Sequence, residues 1–150
     1  MRRETLIYAI LGLGALGLID SLYLASHAVT NTALFCDIGA GLDGCNQVAQ
    51  SPYSRIFGIP LSYLGIVFYV LLLIAALATF FKHHRYLHQA LLAVASIGAL
   101  FSVVFLYIQF VLIQALCIYC LLSAGTAFLA LGAAFWIHLR HNTKVPVVVP

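Results

Sequence analysis

Four apolar runs, broken by one long polar segment and two brief interruptions, set the order of this chain. The first covers residues 5–28, the second 59–81 and the third 87–112. Apolar sequence then continues to residue 139, too far for one crossing, so a tight turn is predicted over 113–116 and a fourth span over 117–139. Each run reaches the ~20 residues that carry a helix across a bilayer. The pattern therefore predicts an all-α integral membrane fold: a four-transmembrane-helix bundle forming a single domain over residues 1–150. A cleavable leader shares the basic start and a small-x-small site at Ser26-His27-Ala28. Asp20 and the length of the run favour a retained span. Gly12, Gly14 and Gly17 would let a neighbouring helix approach closely.

Residues 29–58 make the one long polar segment, and a loop of that length in so short a chain is more often functional than idle. Leu42, Cys45, Val48, Ala49, Pro52, Tyr53, Ile56 and Phe57 fall near helical spacing. They predict a short amphipathic surface helix over 44–51, with Asp43 as N-cap and Pro52 as stop. Such a helix turns Cys45 inward with Val48 and Ala49, while Cys36, ahead of the pattern, is left facing water.

Composition agrees with the spans: 64% of residues are hydrophobic and 7% charged, against about 25% charged in soluble domains. The net charge of +3 is small, so nucleic-acid binding has no support. Six scattered histidines lack the paired spacing of a metal site. Arg2, Arg3, Lys82, Arg85, Arg140 and Lys144 all fall on one side of four crossings, and Arg55, Asp37 and Asp43 on the other. The positive-inside rule then puts both termini in the cytoplasm. The loop and the start of the fourth helix share the outer face, where disulfides persist.

That topology gathers all four cysteines. Cys117-Ile118-Tyr119-Cys120 sets two sulfurs one helical turn apart, within disulfide reach. Cys117 would open the fourth helix, at the positive end of its dipole, where a thiol pKa falls. Cys120 would lie about 4.5 Å deeper, facing the bundle interior, where a lipid-soluble two-electron acceptor can reach it. Two pairs on one face suggest a relay through mixed disulfides. The plainer alternatives are an inert membrane scaffold, with Cys36 and Cys45 as a loop staple, and a b-type haem protein, although the histidines lie at opposite faces.

Cys36 and Cys45, the run from Ser51-Pro52-Tyr53-Ser54-Arg55-Ile56-Phe57-Gly58 through Ile59-Pro60-Leu61-Ser62, and Cys117-Ile118-Tyr119-Cys120 closely resemble the vitamin K epoxide reductase family in its bacterial form. The resemblance covers nearly the whole chain. It implies a four-helix bundle around a quinone of the menaquinone, ubiquinone or vitamin K type, in a bacterial cytoplasmic (inner) membrane. It further implies that Cys36 exchanges with a thioredoxin-fold, DsbA-like oxidase, that Cys45 passes electrons to Cys117, and that Cys120 meets the quinone. The protein would thus be a quinone-dependent thiol:disulfide oxidoreductase supporting disulfide formation outside the cytoplasm, with no metal. The family's loop serine falls on Ser51 by one alignment and on Ser54 by another, and Phe57 joins them as a quinone contact. Some bacterial members carry a fused thioredoxin-like domain; this chain ends too soon for one, so its partner is expected to be separate. Vertebrate members have a tyrosine where this chain has Ala124, so quinone reduction is expected rather than vitamin K epoxide chemistry.

Asp20, Tyr23 and His27 share a face in the outer part of the first helix, and an intramembrane carboxylate is a functional candidate by default. Tyr63, Tyr107 and Phe110 are aromatic candidates for a quinone pocket. His83, His84 and His88 read as a solvated cytoplasmic turn, and His138 and His141 as interface residues.

Overall fold

The structure, a computed structural model, describes residues 3–36, 44–82 and 84–142. Helix α1 spans Arg3–Thr30, α3 Leu61–Phe81, α4 Arg85–Tyr107 and α5 Ile118–Asn142. All four are long and apolar enough to cross a membrane. In hydrocarbon a backbone must bond to itself, which makes helices of such runs. Helix α1 packs on α3 and α5, and α4 on α5 and α3. The core joins Ile7 and Ile10 of α1, Tyr69 and Leu72 of α3, Leu91 and Ala95 of α4, and Ala130 and Ala134 of α5. Alanines on α4 and α5 let those helices approach closely. Of the three α1 glycines, Gly14 lies under Leu73 and Gly17 under the Tyr69 ring, while Gly12 meets nothing within 4 Å.

The connections differ from the sequence reading. The surface helix α2 covers Cys45–Gln50 and is capped by Gly44 rather than Asp43, without a side-chain bond. Asp43, Asp37, Arg2, His83 and Lys144 lie outside the described residues, as do the side chains of Arg3 and His141. Pro52–Ser54 form a 3-10 turn, followed by a hairpin of β1 (Arg55–Ile56) and β2 (Ile59–Pro60) in antiparallel register. Its two-residue turn, Phe57-Gly58, holds φ of 51° and 82°, the left-handed pair that such hairpins require. The second span therefore starts at Leu61, not 59.

Helix α4 passes into a π-helical turn, Ile108–Ile113, and Gln114 closes it at φ 55° with its N–H on the Gln109 carbonyl. Gln114 thus ends the third span, and the chain re-enters the bundle at Cys117. His88 is 2% exposed. It packs inside the bundle instead of joining a solvated turn, because it falls on the inward face of α4 with Leu91 and Ala95.

Candidate active site

Three short segments converge at one end of the bundle. The Gly44 N–H donates to the Leu116 carbonyl at 3.1 Å, which sets the start of α2 beside the start of α5. Residues 32–36 are pinned over that junction. Asn46 clamps Leu34 from both sides: its Oδ1 accepts the Leu34 N–H at 2.7 Å and its Nδ2 donates to the Leu34 carbonyl at 3.1 Å. Tyr119 donates to the Phe35 carbonyl at 2.7 Å, and the Phe35 N–H donates to Tyr23 at 3.4 Å. These bonds satisfy loop backbone that would otherwise face apolar surroundings.

Within this frame Cys36 and Cys45 are disulfide-bonded, with their Cα atoms 6.1 Å apart. Cys117 and Cys120 are free thiols. Leu34, Cys36, Cys45 and Cys117 form one buried cluster, with Cys120 packed against it. Cys36 is therefore not left in water: it is 8% exposed, and Cys45 0%, because the bond to Cys45 holds it in the buried cluster with Leu34 and Cys117.

Cys117 is the residue before α5, and its carbonyl accepts the Leu121 N–H at 3.0 Å. Its Sγ also accepts the Cys120 N–H at 3.4 Å, the bond an N-cap oxygen would make. Its own N–H donates to Gln109 Oε1 at 3.0 Å. The π-turn is what brings Gln109 to this point, and π-turns recur at functional sites. Ahead of the apolar span, the Cys117 thiol is held below its ordinary pKa, chiefly by the hydrogen bond from the Cys120 thiol, against the opposing effect of burial. A low thiol pKa favours the nucleophilic thiolate.

A cavity of about 350 Å³ opens beneath, between α1, α3, α4, α5 and the cap; small-molecule sites span roughly 300–1,000 Å³. Cys120 lines it; Cys117 is absent from its wall. Phe68 and Phe101 supply flat apolar surface, and Gly98 gives the Phe68 ring its room. Ser62 Oγ, on the same wall, is buried with no hydrogen-bond partner among the described residues. An orphaned hydroxyl and a thiol in one cavity with mostly apolar walls fit a flat ring carrying carbonyl acceptors, which is the shape of a quinone head.

The sequence-predicted contacts divide. Ser51 and Ser54 line the cavity, but their hydroxyl protons are committed to the Val48 carbonyl at 2.7 Å and the Ser51 carbonyl at 2.8 Å. They order the cap and offer the cavity only acceptor lone pairs. Phe57 is fully exposed at the hairpin tip and is not on the wall; the strained two-residue turn points it away. Tyr63, Tyr107 and Phe110 are also absent from the wall, at 41%, 58% and 58% exposed. They lie on the outward faces of their helices, where lipid takes the place of a partner. Ser62, Gln109 and Asn46 were missed as site residues. The sequence carried a signal for Gln109, an amide in a charge-free apolar run; for Ser62 it carried none that fixes a face.

The chain matches the model of the vitamin K epoxide reductase family over residues 8–135. It is also similar to thiol-disulfide oxidoreductase LTO1 of Arabidopsis thaliana, 36% identical over an alignment of 118 positions, which covers 74% of this chain and 31% of that protein. The chain thus spans about a third of the length of that curated relative. On the family match, which takes in α2, the hairpin, the cavity and both cysteine pairs, this four-span membrane protein belongs to the vitamin K epoxide reductase family.

Proposed function

We propose that the protein is a membrane thiol oxidoreductase that takes electrons from a thioredoxin-fold dithiol partner and passes them through two cysteine pairs to a quinone. One observation carries this reading. A closed Cys36–Cys45 bond and a reduced Cys117/Cys120 pair share one buried cluster, and Cys120 lines a cavity that fits a quinone head. The similarity to a protein named a thiol-disulfide oxidoreductase supports it.

Cys36 is the more exposed of the bonded pair, so it is the sulfur an incoming partner thiolate attacks. Cys45 leaves as thiolate, and the partner's second thiol then displaces Cys36. The partner gains a disulfide, and the loop pair gains two electrons and two protons. Cys45 next attacks Cys117 in a Cys117–Cys120 disulfide, and Cys120 leaves. Cys36 attacks Cys45 in turn and releases Cys117. The loop bond is restored, and the electrons rest on Cys117 and Cys120. That is the oxidation pattern the structure holds.

A quinone, when bound, supplies an acceptor for two electrons and two protons. Ser62 would donate to one of its carbonyls, Phe68 and Phe101 would hold the ring, and Cys120 would face it. Ser51 and Ser54 would close the cap above it. The charge pattern supports a bacterial cytoplasmic membrane with both termini inside. Lys82, Arg85 and Arg140 lie at the bundle end opposite the cysteines, and Arg55 lies at the cysteine end.

The test is quinone reduction by purified protein with a reduced thioredoxin-fold donor. Quinol should form in step with donor oxidation, and all four cysteines should cycle. A loop disulfide that stays closed throughout, with no quinol, would mean a scaffold with a structural staple.

A further inference from the structure

Asp20 lies inside the first membrane span. It is 6% exposed, and its Oδ2 is buried without a hydrogen-bond partner among the described residues. An ionisable group at membrane depth is costly, and those that exist mark ion and proton paths. Along α1, α3 and α5 no lysine or arginine occurs over residues 4–30, 61–81 or 118–139, so no cation on the helices around it offsets a carboxylate.

Its level in the bundle follows from its neighbours. One turn away from the cysteines, Gly17 lies under the Tyr69 ring, and the Tyr69 hydroxyl sits 2.8 Å from the hydroxyls of both Ser123 and Thr126. One turn toward the cysteines, the rings of Tyr23 and Tyr119 are 5.0 Å apart. Asp20 therefore falls between the levels of Ser123 and Tyr119 on α5, which is the level of Cys120. Tyr69 from α3, Cys117 just before α5, Tyr119 and Cys120 on α5, and Tyr23 and His27 on its own helix are the titratable groups of this region among the described residues; His27 Nδ1 is 2.8 Å from the Thr32 hydroxyl. The next residue, Ser21, lines the cavity together with Tyr69, Ser123 and Cys120.

We propose that Asp20 is the proton acceptor of the inner cysteine pair, an inference that rests on the relay reading above. Conversion of the Cys117/Cys120 dithiol to a disulfide breaks two S–H bonds and forms one S–S bond. Two electrons go to the quinone, and two protons must also leave. The Cys120 proton goes directly to the reduced quinone in the cavity that Cys120 lines, and the other passes to the Asp20 carboxylate, giving a neutral carboxylic acid, so no charge is left in the membrane interior. A quinone that takes two electrons also needs two protons to become quinol, and the proton on Asp20 returns to the cavity for that purpose. Asp20 is not itself on the cavity wall, but Ser21, Tyr69 and Ser123 are, and their hydroxyls are the groups that would carry the proton there.

The test uses the full chain in lipid nanodiscs. With no quinone added, the reduced inner pair is oxidised with ferricyanide, which takes electrons and no protons, and infrared difference spectra are recorded. A carboxylic-acid C=O band should rise on oxidation in the wild type and be missing in Asp20→Asn. In a separate assay with quinone and reduced donor, Asp20→Asn should lose about 100-fold in quinone reduction, the range of general acid–base catalysis. Its exchange between donor and the Cys36–Cys45 bond should be unchanged, and Asp20→Glu should recover much of the loss. A wild-type C=O band indifferent to oxidation, or wild-type turnover in Asp20→Asn, overturns the proposal. Absence of quinone reduction in the wild type itself would instead defeat the relay reading, and the infrared result would still decide the role of Asp20.

Discussion

Gly44 and Leu116 are joined backbone to backbone, the Gly44 N–H donating to the Leu116 carbonyl at 3.1 Å. Each residue directly precedes a cysteine, so this bond sets Cys45 beside Cys117. A Cβ on Gly44 would meet Ala115 Cβ at 2.8 Å and the Leu116 N at 2.9 Å. Backbone at that distance cannot yield as a flexible side chain can. Gly44→Ala should cost ~1–3 kcal/mol, the range for overpacking, and should pull the two pairs apart. Thermal unfolding reads the first effect. The second appears as a loop pair that the donor reduces at the normal rate but that passes electrons to Cys117 slowly.

Asn46 holds Leu34 by two hydrogen bonds, each worth roughly 0.5–1.5 kcal/mol net. Asn46→Ala should speed amide exchange at Leu34 and Phe35 by about 10-fold, since ~1.4 kcal/mol is a factor of ten. Asn46→Asp should be worse near neutral pH, because a carboxylate keeps the acceptor for the Leu34 N–H but sets a second oxygen against the Leu34 carbonyl. Hydrogen exchange by mass spectrometry measures both.

Ser62 Oγ is buried without a partner among the described residues, so its removal breaks no bond there. Ser62→Ala should leave the melting temperature unchanged or raised, since an unsatisfied buried hydroxyl is a cost. If the hydroxyl donates to a quinone carbonyl, the same change should raise KM for quinone about 10-fold, with thiol exchange at the loop intact. Ser51→Ala and Ser54→Ala remove bonds to the cap backbone, so they should lower stability, by about 1 kcal/mol each. An unchanged KM in Ser62→Ala would take this residue out of the site.

The spans and the two cysteine pairs were legible because membrane burial leaves the backbone one choice and sulfur chemistry has a short spacing. What was not legible has physical causes. Strands of two residues, Arg55–Ile56 and Ile59–Pro60, are too short to show an alternation. The π-turn at Ile108–Ile113 lies in an apolar run where only Gln109 within the turn and Gln114 just past it mark the place. A membrane helix is apolar all round, because lipid and core are alike to a side chain. The sequence therefore could not say that Tyr63, Tyr107 and Phe110 face outward while Ser62 and Phe68 face the cavity. Ser62 stands at the start of α3 and reads as an ordinary helix-end serine until the neighbouring helices are in place.

The relay order is the central claim, and Cys36→Ser tests it most directly. With quinone present, Cys117 and Cys120 should close their disulfide, and Cys45 should attack Cys117. Cys36, which would release the mixed species forward, is gone, so only return attack by Cys120 opposes it. Acid quenching, alkylation and peptide mapping under non-reducing conditions should then reveal a Cys45–Cys117 crosslink with Cys120 alkylated. A protein in which Cys45 stays wholly alkylated, or in which it is bonded to Cys120, would contradict the account.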